Sequence, residues 1–382
     1  MGGPCSLPSF PTSSRGLCRA VLVLGSLAAL ASAPSGVLAR VQQIDRMIVI
    51  GDSLSDGGNS GLLTQTAVPP AGIPASPYAG GRWSNGPVAA EQLWQLFNPS
   101  AAPLKPSQAG GTNFAVVGAT TGSANVVSVD PNFPSALRPL FANTAAAAQL
   151  PAAVAAADPD PQRSLYLVWL GANDGLYWMY TGGSASTSGS TPGTASGAAP
   201  QAGATAAQLV ANGVQNISTV LSGLIGKGAR HILVSNLIDF GKAPGFSSDA
   251  AKSAQITQMV NALNAGIHAE MQVLRAANPQ ADLMEFDAYA MFNEVLANPT
   301  GFSFDNITNR CVLPNQSLDP GCDPNRWFFW DGSHPTTAAH ALIASRMFST
   351  AYEAPVPAPL PLAGAAVAFS WARRLRRRLL SV

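Results

Sequence analysis

The chain has 382 residues and a mass of 39.2 kDa; 47% of its residues are apolar and 11% are charged. That length holds one large α/β domain with processed ends or two smaller domains, and the apolar content excludes wholesale disorder. The formal charge of +1 hides an asymmetry: seven of the 21 basic residues lie at the termini, and the 14 left in the body face 20 acidic ones, a balance of about −6 that argues against nucleic acid as a partner.

At the N-terminus Arg15 and Arg19 precede the apolar run Ala20–Ala31, with no acidic residue before Asp45, which is the build of a secretory signal peptide. The run is too short to span a bilayer comfortably. Cleavage is expected after Ala39 rather than Ala33, because Pro34 directly follows the latter, so residues 1–39 are assigned to the signal and 40–353 to one folded domain.

Met47-Ile-Val-Ile50 reads as a short buried strand ending in Gly51, and similar β-rich runs recur at Phe114–Val117, Leu165–Leu170, Ile232–Leu237 and Leu283–Phe286. Between them apolar residues repeat at helical spacing, as in Leu209, Val210, Val214, Ile217, Val220, Leu221 and Leu224, and again from Ile256 to Leu274. Strands alternating with helices predict right-handed crossovers and an α/β fold, a three-layer α/β/α sandwich around a mostly parallel five-stranded sheet. Residues 181–206 form a Gly/Ala/Ser/Thr tract within an uncharged stretch from Gly175 to Gly226, expected to be a flexible surface insertion.

The C-terminal segment, residues 354–382, opens with Pro355-Val-Pro-Ala-Pro359, continues with a short apolar stretch and closes with five arginines between Arg373 and Arg378. Positive charge stays on the cytoplasmic side, so such a tail is expected to pause in the membrane as export finishes. It resembles the PEP-CTERM class of bacterial sorting signals, which implies export and sorting machinery as partners, transient membrane contact and a final place in the cell envelope or outside. Export also changes how cysteine reads. Cys5 and Cys18 leave with the signal, and Cys311 and Cys322 remain eleven positions apart in a Pro/Asn/Asp-rich loop, where a disulfide is expected and two free thiols are the alternative. The four histidines form no HExxH and no CxxC occurs, so no metal site is expected.

In a parallel sheet the ligand sits beyond the carboxyl ends of the strands, and that is where the polar motifs fall: Gly51-Asp-Ser-Leu54, Gly118-Ala-Thr-Thr-Gly122 and Gly171-Ala-Asn-Asp174. A serine hydrolase needs a nucleophile, a base, a group that orients the base and donors for the oxyanion. Ser53 follows a buried strand directly. Asp331-Gly-Ser-His334 places an acid three residues before an imidazole, a spacing expected by chance about once in such a chain and raised in weight only by the other blocks. Asp52 reads as a turn former and Asp56 and Asn59 as holders of the following loop. Tyr177, Trp178, Tyr180 and the run Trp327–Trp330 read as core before they read as walls of an acyl pocket, and His231 and His340 as solvated element ends.

Taken in this order, the blocks resemble the GDSL family of esterases and lipases, also called SGNH hydrolases, over about Ile48 to Met347. Gly81-Arg-Trp-Ser-Asn-Gly86, Asn236-Leu-Ile-Asp-Phe-Gly241, Asn261-Ala-Leu-Asn264 and Asn298-Pro-Thr-Gly-Phe302 add to the resemblance. It implies a flavodoxin-like sandwich with Ser53 as nucleophile and first oxyanion donor, Gly118 as second donor, Asn173 as third, Asp331 as orienter and His334 as base, without a cofactor. Val117 departs from the pattern, standing where many relatives carry the first glycine of a pair. The expected function is an exported esterase or lipase acting on a small-molecule or lipid ester. A glycan O-deacetylase or acyltransferase with the same site is the alternative within enzymes, and an inactive surface scaffold the alternative outside them.

Overall fold

The computed structural model describes residues 44–70, 72–156, 160–182 and 205–352. The expected signal segment 1–39, most of the 181–206 tract and the expected sorting tail 354–382 lie outside the described residues.

Four strands form a parallel sheet in the order β1 (Arg46–Gly51), β2 (Ser164–Trp169), β3 (His231–Ser235), β4 (Asp282–Phe286). β2 and β3 are buried along their whole length, which is why their sequences run apolar instead of alternating. The fifth expected strand, 114–117, runs beside β1 and bonds to it through Phe114 N to Val49 O and Val116 N to Gly51 O, without forming a regular ladder. The reason lies in its carbonyls: those of Asn113 and Ala115 each accept from Asn59 Nδ2 at 2.8 Å, so a side chain takes the place of a neighbouring strand. The sheet is therefore four regular strands plus an irregular edge.

The helices are α1 (Asn59–Thr64), α2 (Ala89–Phe97), α3 (Ala146–Ala155), α4 (Ala172–Tyr180), α5 (Ala206–Gly226), α6 (Ala250–Ala277), α7 (Ala288–Ala297) and α8 (Thr337–Tyr352). The α2–α8 pair forms one layer over the sheet, and α3, α5 and α6 the other. α6 buries Ile256, Val260, Leu263, Ile267, Met271 and Leu274, the stripe its spacing predicts, and Asp249 caps it by accepting from Lys252 N at 3.0 Å. Thr205 and Gln208 cap α5 reciprocally through a capping box.

A two-stranded parallel piece, β5 (Asn306–Arg310) with β6 (Trp327–Phe329), stands apart from the main sheet. Cys311, at its end, is joined to Cys322 (Cα–Cα 5.2 Å) and packs with Val312 and Trp330, while Phe328 and Phe329 sink into the main core. Two histidines depart from the sequence reading. His231 is buried on β3 and His340 is fully buried on α8, because each falls on the core-facing side of its element. Burial, with the charge of His334 nearby, pushes the His340 imidazole down to about 3, so it is neutral in the fold.

Asn59 is fully buried and also accepts from Gln108 N at 2.9 Å. Asn59→Ala leaves the buried Ala115 carbonyl and the Gln108 amide unpaired, while the Asn113 carbonyl keeps the Ser107 amide, and is expected to cost about 1–3 kcal/mol in urea unfolding; a loss below about 0.5 kcal/mol refutes its role as substitute strand.

Candidate active site

β1 ends at Gly51, whose amide donates to Gln149 Oε1 and whose carbonyl accepts from Gln149 Nε2, both at 2.9 Å. This side chain from α3 pairs with the strand end as another strand would, and holds the turn that carries Ser53. Asp52 Oδ1 accepts from Leu54 N at 3.0 Å, the expected turn contact. Asp56 is fully buried and accepts from the amides of Gly58, Asn59 and Ser60, and from Val117 N at 3.3 Å, tying the loop after Ser53 to the loop of Gly118.

Ser53 Oγ lies 2.9 Å from His334 Nε2, although the two residues are 281 positions apart. His334 Nδ1 lies 2.9 Å and 2.8 Å from the two oxygens of Asp331. Asp331 Oδ1 also accepts from Ser333 N and His334 N, each at 2.9 Å. Burial alone would raise this carboxyl, but the His334 charge, its hydrogen bond and the two amides outweigh burial and hold Asp331 below the ordinary carboxylate range. An ionised acid at Nδ1 keeps the ring proton there and leaves Nε2 as an acceptor facing the serine.

Gly118 has φ +72, and a Cβ there would stand 2.5 Å from Asn125 Oδ1, so the position accepts only glycine. Among the described residues the amides of Ser53 and Gly118 have no hydrogen-bond partner, and both residues line one cavity of about 260 Å³ with Asn173 and His334. Asn173 Nδ2 is held between Asp52 Oδ2 and Ala119 O, each at 3.2 Å. The rest of the cavity wall is largely apolar and includes Val117, Phe133, Met179, Leu209, Met259 and Leu263. Thus four of the five candidates surround the cavity and Asp331 stands behind the imidazole. Of the aromatic residues singled out, Tyr180 reaches the cavity, while Trp178 is buried with Leu209.

Three contributors carry no motif that singles them out. Tyr78 donates its hydroxyl to Asp331 Oδ2 at 2.9 Å, the Trp83 ring lies 5.3 Å from the His334 ring, and Gln149 braces Gly51. Only Trp83 sits in a recognisable stretch, and nothing in that stretch indicates its neighbour. No cluster of three or more His, Cys, Asp or Glu side chains among the described residues is placed to hold a metal ion.

A parallel α/β sandwich with a serine, an imidazole and unpaired amides facing one cavity is the architecture of an ester hydrolase. The profile of the family described as GDSL-like Lipase/Acylhydrolase matches residues 47–347, and the chain belongs to that family. It is similar to a GDSL esterase/lipase of Arabidopsis thaliana, 27% identical over an alignment of 337 positions that covers 80% of this chain and 87% of that protein. A second Arabidopsis thaliana GDSL esterase/lipase is 25% identical over 340 residues, covering 80% and 82%. A thermolabile hemolysin of Vibrio parahaemolyticus is 26% identical over 322 residues, covering 81% of this chain and 64% of the hemolysin. The protein is a carboxylic ester hydrolase.

Three buried carboxyls around the site set its response to pH. Burial raises Asp52 from 3.8 to about 7, against the Leu54 amide and the His334 charge. Asp56 and Asp174 are raised for the same reason to about 6, against the Ser60 hydroxyl and the Thr121 hydroxyl respectively. A carboxyl raised in the folded state stabilises the fold while protonated, and that contribution is lost as pH climbs from the unfolded value through the folded one. The stability of the wild type relative to Asp52→Asn is therefore expected to fall as pH rises from about 4 to about 7. Urea midpoints measured for both proteins across that range check it, and a difference that stays flat or rises removes Asp52 as the source.

Proposed function

We propose that this chain is an exported serine esterase that hydrolyses carboxylic esters through an acyl-enzyme on Ser53. The observation that carries the reading is the 2.9 Å approach of Ser53 Oγ to His334 Nε2 at an apolar cavity. As the serine oxygen attacks the ester carbonyl carbon, His334 Nε2 takes its proton and Asp331 stabilises the imidazolium. The carbonyl oxygen becomes an oxyanion that the free amides of Ser53 and Gly118 receive, with Asn173 Nδ2 exchanging one of its long contacts for it. The intermediate then collapses, the carbon–oxygen bond to the alcohol breaks, and His334 returns the proton to the leaving oxygen. Water repeats the sequence on the acyl-enzyme with His334 as base, releasing the acid and restoring Ser53. The apolar cavity receives the acyl group, which favours an apolar acid half of the ester.

The hydrolase domain spans 40–353 in this reading, with the leader removed after Ala39 and the tail from 354 serving as sorting signal. The leader's arginines and short apolar run, and the Pro-rich, apolar and Arg-rich order of the tail, support it. A Cys311–Cys322 bridge fits an oxidising compartment. No helix among the described residues is long and apolar enough to cross a membrane.

Because nucleophile and base act as a unit, Ser53→Ala and His334→Ala are each expected to lower kcat on a short p-nitrophenyl ester by about 10⁴-fold or more, and the double variant to lose little beyond either. A loss of only a few-fold in either single variant overturns the assignment. Asn173→Ala is expected to lose about 10²–10³-fold in kcat. Mass spectrometry of the protein recovered from outside the inner membrane is expected to show a start at Arg40 and no arginine tail; an intact tail on that form overturns the sorting reading.

A further inference from the structure

The acid that orients the base is itself held by a side chain from a distant loop. Asp331 Oδ1 receives two amides from its own loop, but Oδ2 faces His334 Nδ1 on one side and the Tyr78 hydroxyl on the other, and Tyr78 lies 253 positions away. We infer that Tyr78 is a positioning residue of the hydrolytic site, a fourth member of the Ser53–His334–Asp331 line that fixes the Asp331 carboxylate and draws off part of its charge.

The surroundings of Tyr78 are built to hold that hydroxyl in place. Its ring meets Trp83 edge-on at 5.4 Å and Trp330 edge-on at 6.3 Å, and it packs against the cluster of Cys311, Val312 and Trp330 beside the disulfide. Trp83 in turn lies 5.3 Å from the His334 ring, so the loop carrying both aromatics touches both the acid and the base. Burial, together with the charge of Asp331 and the bond to it, raises the Tyr78 phenol, so at working pH the group is a donor throughout.

A donated hydrogen bond stabilises the ionised carboxylate and weakens its pull on the imidazole proton. Replacing the hydroxyl by hydrogen should make Asp331 more basic, tighten its hold on the Nδ1 proton and leave the carboxylate freer to turn. The other charged or titratable groups facing this pair are Arg310 on β5, Asp52 at the end of β1 and the neutral His340 on α8. None of them changes in Tyr78→Phe, which also keeps the ring packing.

The inference rests on the proposed roles of Ser53 and His334, so Tyr78→Phe and His334→Ala are assayed side by side on a short p-nitrophenyl ester. Tyr78→Phe is expected to lower kcat about ten-fold with KM within about two-fold, and to move the acid limb of kcat/KM upward by about half a pH unit. An unchanged kcat and acid limb overturns the inference. A lower kcat with an unmoved acid limb and a lower melting temperature also overturns it, since that is the signature of lost packing alone. If His334→Ala keeps wild-type turnover, the hydrolytic assignment fails first and takes this inference with it.

Discussion

Parallel strands cannot be joined by a tight turn, because the chain must return to the starting end before it can pair again. In this protein that constraint governs where everything else falls. Each return passes through a helix or a long loop, and every strand of the main sheet delivers its carboxyl end to the same edge. Gly51-Asp-Ser53 and Gly171-Ala-Asn173 arrive there from β1 and β2, and the irregular edge strand adds Gly118. His334 comes from the loop between β6 and α8, at the end of the α8 layer that lies across the sheet. The cavity is the space these ends enclose.

Holding such ends still requires polar groups inside the protein, and each must be partnered to avoid the cost of burial. Gln149, Asn59 and Asp56 do this by copying backbone: a side-chain amide or carboxylate takes the bonds that a neighbouring strand or a regular turn would supply. The consequence is electrostatic. Asp52, Asp56 and Asp174 crowd the strand ends in a buried setting and are raised, whereas Asp331, paired with the adjacent imidazole, is lowered. Of these four buried carboxyls three thus resist ionisation and one favours it, and the ionised one is the one that faces the His334 imidazole.

The wall of the cavity shows the opposite economy. Apart from the edge that carries Ser53 and His334, and from Asp130 and Asp174, it is lined by apolar side chains of α4, α5 and α6 and of the loops around Val127 and Phe133, which meet there because the helices must cover the sheet. Val117 adds its side chain to this wall beside Gly118. Apolar cover and reacting edge are therefore produced by one packing solution.

The sequence by itself determined the alternation of strands and helices, because buried strands and amphipathic helices carry different hydrophobic periods. It also marked Ser53, Gly118, Asn173 and the Asp331–His334 block, since these sit in compact motifs at strand ends. It did not determine that 114–117 would stay irregular, which depends on Asn59 reaching its carbonyls, nor that His231 and His340 would be buried, which depends on how their elements face the core. The contacts of Tyr78 with Asp331, Trp83 with His334 and Gln149 with Gly51 were decided by tertiary structure alone. Each joins residues far apart in the chain through a single side chain, and a single side chain leaves no period, spacing or composition for a linear reading to find.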